Sequence, residues 1–170
     1  TTTEPDAAVQ GSARQKTWSD DLQADFDPET GVLIRLEQWG KFRYESAGRQ
    51  ARAERALMEP QKDWITLTGG SRVWDATGST DAASIFLDQK NNTTQASGDV
   101  RSVRQPERSG EEPVRATART MRTSGDHALI RYEGKARLWQ SGNRIEGEKI
   151  EIDRSARQLR AGGGITSTLA

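Results

Sequence analysis

His127 is the only histidine in the chain and there is no cysteine, so a metal site would have to be built from carboxylates alone. A Ser-His-Asp triad would have to recruit this same residue, which follows Gly125 and Asp126 in a turn-like context, and no catalytic or ligand role is expected of it. Paired carboxylates do occur. Asp20 and Asp21, like Glu111 and Glu112, are adjacent, however, and in a strand adjacent side chains point to opposite faces. The run Gly162 to Gly164 lacks both the G-x-G-x-x-G form and the strand-to-helix context of a phosphate-binding loop. No metal, no cofactor and no enzymatic activity are therefore expected. What does recur is arginine: Arg14, Arg43, Arg72, Arg101 and Arg137 each stand three residues after a glycine. Such a column either meets phosphate and other acidic groups or forms a solvated face, its stems covering apolar surface.

Composition narrows the classes further. The 170 residues carry 25 Lys+Arg against 25 Asp+Glu, a formal net charge of zero that argues against nucleic-acid binding through a basic surface. Hydrophobic residues make up only 32%, low for a compact globule of this length. No run of 18 apolar residues suits a membrane-spanning helix, and the start TTTEPDAA lacks the charged-then-apolar order of a signal peptide. A mature or trimmed secreted fragment fits the same facts. Without cysteine the redox compartment is left open.

The elements that position the arginines follow from the glycines. Gly11, Gly40, Gly69 and Gly98 are spaced 29 residues apart, and Gly134 and Gly163 are again 29 apart. The one longer step holds RQPERSGEEPV, residues 104–114, whose prolines, glycine and glutamates read as a surface loop. Turn signals recur in phase: SAGRQ, DATGS and QSGNR soon after the glycine, then EPQKD, DQKNN, SGDH and DRSAR. Between turns the period is two, the signature of half-buried strands. In the longer limb one parity runs through the glycine: Ile34, Leu36, Phe42 and Tyr44; Ile65, Leu67 and Val73; Val100; Ile130, Tyr132, Ala136 and Leu138; Leu159, Ala161 and Ile165. The shorter limb ends on Ala56 and Met58, Ile85 and Leu87, Met121, and Ile150 and Ile152, its earlier positions being more polar. No 3.6-residue pattern is sustained. The expectation is an all-β, repeat-built antiparallel structure with about 29 residues per unit, residues 1–10 being linker or disordered and 11–170 the domain.

The segment YEGKARLWQSGNRIEGEKIEIDRSARQLRAGGGITSTL, 132–169, strongly resembles the repeat of the OstA-like, LptA-type family of lipopolysaccharide-transport proteins. The matching elements are Tyr132 and Gly134, Ala136 and Leu138, the turn Gly142-Asn143, the strand from Ile145 to Ile152, Asp153, and Ala161 with Gly163. The units at 40–68, 69–97 and 98–133 match more loosely, and in the first the DPETG turn at 27–31 comes about three residues early. The resemblance implies a bent β jellyroll, or β-taco, in the periplasm. Its apolar groove would shield the acyl chains of lipopolysaccharide or a related glycolipid and relay them toward the outer membrane. The implied groove residues are Leu36, Phe42, Tyr44, Ile65, Leu67 and Val73; Ile85, Leu87, Val100 and Met121; and Ile130, Leu138, Ile150, Ile152, Leu159 and Ile165. Arg43, Arg72, Arg101 and Arg137, on the opposite parity, are the candidates for polar head-group contact. The resemblance also implies head-to-tail self-association, or pairing with other OstA-like domains of the transport machinery. The strand from Gln158 to Leu169, with no proline and no charge after Arg160, is expected to offer an unguarded edge.

Two other classes share the periodicity. One is a β-solenoid scaffold or adhesin segment with a solid core and no lipid; the other is a polysaccharide-active parallel β-helix. The latter needs a carboxylate or cationic cluster on one face, and no unit concentrates one.

Overall fold

Alternating apolar and polar residues bounded by short turns produce strands along the whole of residues 14–170, the part of the chain described by the computed structural model. The linker expected at 1–10, and Gly11, lie outside the described residues. The strands are β1 (Lys16–Trp18), β2 (Asp21–Phe26), β3 (Leu33–Ser46), β4 (Arg49–Glu59), β5 (Trp64–Asp75) and β6 (Gly78–Asp88). They continue as β7 (Thr93–Arg104), β8 (Val114–Ser124), β9 (Leu129–Gln140), β10 (Asn143–Asp153), β11 (Gln158–Gly162) and β12 (Thr166–Thr168). A 3-10 turn, Pro60–Lys62, links β4 to β5. All twelve strands form one antiparallel sheet in which β3 to β10 pair in chain order. Short strands share each end: β1 and β2 both pair with β3, and β11 and β12 both pair with β10. The strand expected from Gln158 to Leu169 is thus broken into two, because Gly163 and Gly164 both take left-handed backbone angles between them.

That break belongs to a series. Gly40, Gly69, Gly98, Gly134 and Gly163 have φ between 79° and 84°, and Lys41, Gly70, Asp99, Lys135 and Gly164, which follow them, are also left-handed. A Cβ at Gly69, Gly98, Gly134 or Gly163 would lie 2.5–2.7 Å from the Cβ of Glu54, Ala83, Arg119 or Glu148 respectively, so only glycine admits the neighbouring strand. Each bend also shifts the register. Between Trp39 and Phe42 three steps on β3 oppose two on β4, from Arg55 to Ala53, a bulge that re-aims the sheet. Repeated across the sheet, these bends form a crease that divides it into two leaves.

The bulge explains the inward parity on each side of the crease. On the odd-numbered strands the extra residue keeps the parity, so Gln38 and Phe42, or Tyr132 and Ala136, are both buried. On the even-numbered strands the parity slips by one. Ala53 and Ala56 are buried around Glu54-Arg55, Ala82 and Ile85 around Ala83-Ser84, and Ala118 and Met121 around Arg119-Thr120. The inner faces of the leaves meet in one continuous core.

Candidate functional site

Leaf A, on the hairpin side of Gly48, Thr77 and Gly142, contributes Phe42, Tyr44, Val73, Val100 and Leu138 to the interior. Leaf B contributes Ile65, Leu67, Ile85, Leu87, Met121, Ile130 and Ile150. Val73 is partly buried and the other members of these two sets are 0–9% exposed; Leu36 and Ile152, also on the stripe, are partly buried. Leu159 and Ile165, at 40% and 45%, stand in the open. Between them the interior is filled by alanines: Ala51, Ala53, Ala82, Ala116 and Ala118 were hidden from sequence reading by the parity slip at the crease. A search for the second parity on each even strand would have found them.

The filled interior also carries polar links. The hydroxyls of Ser102, in leaf A, and Tyr132, in leaf B, lie 2.6 Å apart in a buried hydrogen bond that ties the leaves together. Thr94 donates its backbone N–H to the Thr123 hydroxyl at 3.0 Å. Across the far side, Arg154 of leaf B reaches Glu107, in the 105–113 connection of leaf A, at 3.2 Å. The leaves are closed on each other in this state.

At the two ends of the sheet the stripe comes to the surface. Leu22, in register with buried Gln38, and Ile34, at the start of β3, are 56% and 40% exposed; Leu159, Ile165 and Leu169 at the other end are 40%, 45% and 76% exposed. Exposed apolar side chains clustered this way mark contact surfaces.

The arginine column lies on the outer face. Arg43 pairs in register with Arg52, Arg52 with Arg72, Arg72 with Asp81, Asp81 with Arg101, and Arg137 with Glu146. Like charges directly opposite are unfavourable. Here they are relieved by stacking and pairing: Arg43 lies over Trp18 at 5.3 Å, Arg72 over Trp74 at 5.6 Å, and Arg72 and Arg137 approach Asp81 and Glu146 at 3.7 and 3.5 Å. None of the four arginines enters the interior.

His127 occupies the leaf B turn after β8, with Asp126 and His127 both left-handed. Burial lowers its pKa, the charges of Arg49 and Arg104 lower it further, and Asp75 and Asp126 oppose them. Because the fold holds the imidazole neutral, the unfolded chain takes up a proton first as pH falls. Its contribution to stability is complete above the ordinary imidazole pKa and is lost as pH drops through the folded value. Between about pH 7 and pH 5 the thermal midpoint is expected to fall more steeply for the native chain than for His127→Gln, as followed by circular dichroism. Parallel slopes would refute this. No group of three acidic or histidine side chains suited to a metal ion occurs among the described residues.

A creased antiparallel sheet whose leaves enclose an apolar stripe is the bent β jellyroll that the sequence resemblance implies. Residues 89–158 match the family model for the LptA/(LptD N-terminal domain) LPS transport protein. The crystal structure of LptH from Pseudomonas aeruginosa, the LptA homologous periplasmic component of the lipopolysaccharide transport device, has the same fold. Its TM-score is 0.65 at 18% identity, covering 72% of this chain and 94% of that one. No curated protein matches the chain. Residues 89–158 thus carry the sequence pattern of that family, and the chain shares the fold of LptH.

Proposed function

We propose that this protein is a periplasmic lipopolysaccharide-transport component that takes acyl chains between its two leaves and relays them without chemistry. The observation that carries the reading is the inner apolar stripe, which runs through the closed core and emerges at Leu22 and Ile34 on one side and at Leu159, Ile165 and Leu169 on the other. A solid scaffold would account for the filled middle but not for apolar inner positions left exposed at both ends. Burying acyl chains is worth about 0.8 kcal/mol per methylene, which works against the apolar core, the Ser102–Tyr132 hydroxyl pair and the Arg154–Glu107 ion pair that hold the leaves together. The groove lining is that of the stripe, Leu36 to Ile165, while sugars stay outside. The outward row of Arg43, Arg72, Arg101 and Arg137 is a candidate contact for acidic groups passing over the outer face.

The end strands supply the partner surfaces in this reading. β1 and β2, and β11 and β12, pair on one side only among the described residues. Strand addition by a second copy or a related OstA-like domain would extend the sheet and join one exposed stripe to the next.

Native mass spectrometry with lipopolysaccharide is expected to show a saturable adduct of the whole protein, and fully deacylated lipopolysaccharide none. Equal binding of both forms would mean that sugar rather than lipid is recognised, and the reading would fall.

A further inference from the structure

The last inward rung of leaf A breaks the apolar pattern with charge. Asp75 pairs in register with Gly78, and Gly78 with Arg104; Arg49 lies one step beyond the Gln50–Trp74 pair. These positions continue the parity of buried Ala51, half-buried Val73 and buried Ser102, so they face the mouth between the leaves. From leaf B the turn residues Asp126 and His127, and Arg154, face them. Together they surround a cavity of about 280 Å³ whose inner wall includes Val73, Leu87 and Met121, the apolar stripe itself.

Among the described residues two polar atoms there lack partners: Arg104 Nε and His127 Nε2 are buried without a hydrogen bond. The acids of the cavity are already engaged. Asp75 accepts from the Thr77 N–H and hydroxyl at 2.7 and 2.6 Å, and Asp126 accepts from Asn92 Nδ2 at 2.7 Å. Arg154 pairs with Glu107, whereas among the described residues no carboxylate lies within 4.0 Å of Arg49 or Arg104. Burying a guanidinium donor unsatisfied is costly, and an oxyanion offers the several acceptors that two guanidinium groups and an imidazole lack.

We propose that this mouth pocket binds a phosphate group, with Arg49 and Arg104 donating to its oxygens and His127 completing the set. The phosphate is that of the lipid head group, so that acyl chains enter the stripe while the anion stays at the rim. The assignment to a lipid rests on the transport reading above; the pocket's affinity for phosphate does not.

The single histidine makes the test simple, because the only imidazole resonance in the chain reports the pocket. Titration with inorganic phosphate, at constant ionic strength in chloride, is expected to move that resonance saturably and to raise the imidazole pKa. Arg104→Ala should weaken the response about tenfold or more, whereas Arg101→Ala, on the outer face, should not change it. In a second arm, native mass spectrometry compares intact with dephosphorylated lipopolysaccharide, the native chain preferring the intact form and Arg104→Ala losing that preference. No saturable shift with phosphate, while lipopolysaccharide still binds, overturns the pocket and leaves the transport reading standing. A shift with phosphate but no preference between the two lipopolysaccharides overturns the head-group assignment. Phosphate binding without any lipopolysaccharide binding supports the pocket and refutes the lipid reading.

Discussion

Gly134→Val should cost about 3 kcal/mol or more and lower the thermal midpoint by about 10 °C. A valine there must hold φ near +84°, and its Cβ would sit 2.5 Å from that of Arg119 on the neighbouring strand. Neither conflict relaxes cheaply, because β8, which carries Arg119, is paired with β7 and β9 through the residues on either side of it. Gly48→Ala is the control: the backbone is also left-handed, at +78°, but no atom of the described residues lies within 4 Å of the added methyl. It should lose only about 1 kcal/mol, from backbone strain alone. Equal midpoints for the two variants would mean that the crease is not held by close approach.

The second large effect concerns opening. The chain has no cysteine of its own, so Glu107→Cys with Arg154→Cys allows a cleavable bifunctional reagent to tie the leaves where their side chains already touch. Tethered protein is expected to lose at least about tenfold in lipopolysaccharide affinity, a barrier of about 1.4 kcal/mol or more, and to regain it on cleavage. The cause is geometric: Phe42, Leu67, Ile85 and Tyr132 are almost wholly buried, so acyl chains find room only if the leaves part. Unchanged binding by the tethered form would show that chains reach the stripe some other way.

Much of this was legible in the sequence, for physical reasons that differ by element. The longer limbs were readable because their bulge adds one residue and preserves parity, so Ile130, Tyr132, Ala136 and Leu138 alternate cleanly through Gly134. The shorter limbs were readable only in their second halves. There the crease shifts parity, and small inward residues such as Ala51, Ala53, Ala116 and Ala118 are no more apolar than surface alanines. The recurring glycines marked the crease, but the left-handed residue after each one has no fixed type, being Lys41, Gly70, Asp99, Lys135 and Gly164 in turn. Arg49, Asp75, Arg104 and His127 come from four separate segments, and nothing in their spacing announces that the two leaf tips bring them to one mouth. In the sequence alone His127 is therefore a bare turn residue.

Site-specific photocrosslinking to lipopolysaccharide shows whether acyl chains occupy the space between the leaves. Leu138 points inward at 9% exposure, and its neighbour Arg137 points outward from the same strand. A photoreactive residue at 138, and likewise at Val73, should capture lipopolysaccharide, whereas the same residue at 137 or 72 should not. Equal labelling on both faces, or none on the inner face of a protein that binds lipopolysaccharide, would mean that the chains are held outside the leaves.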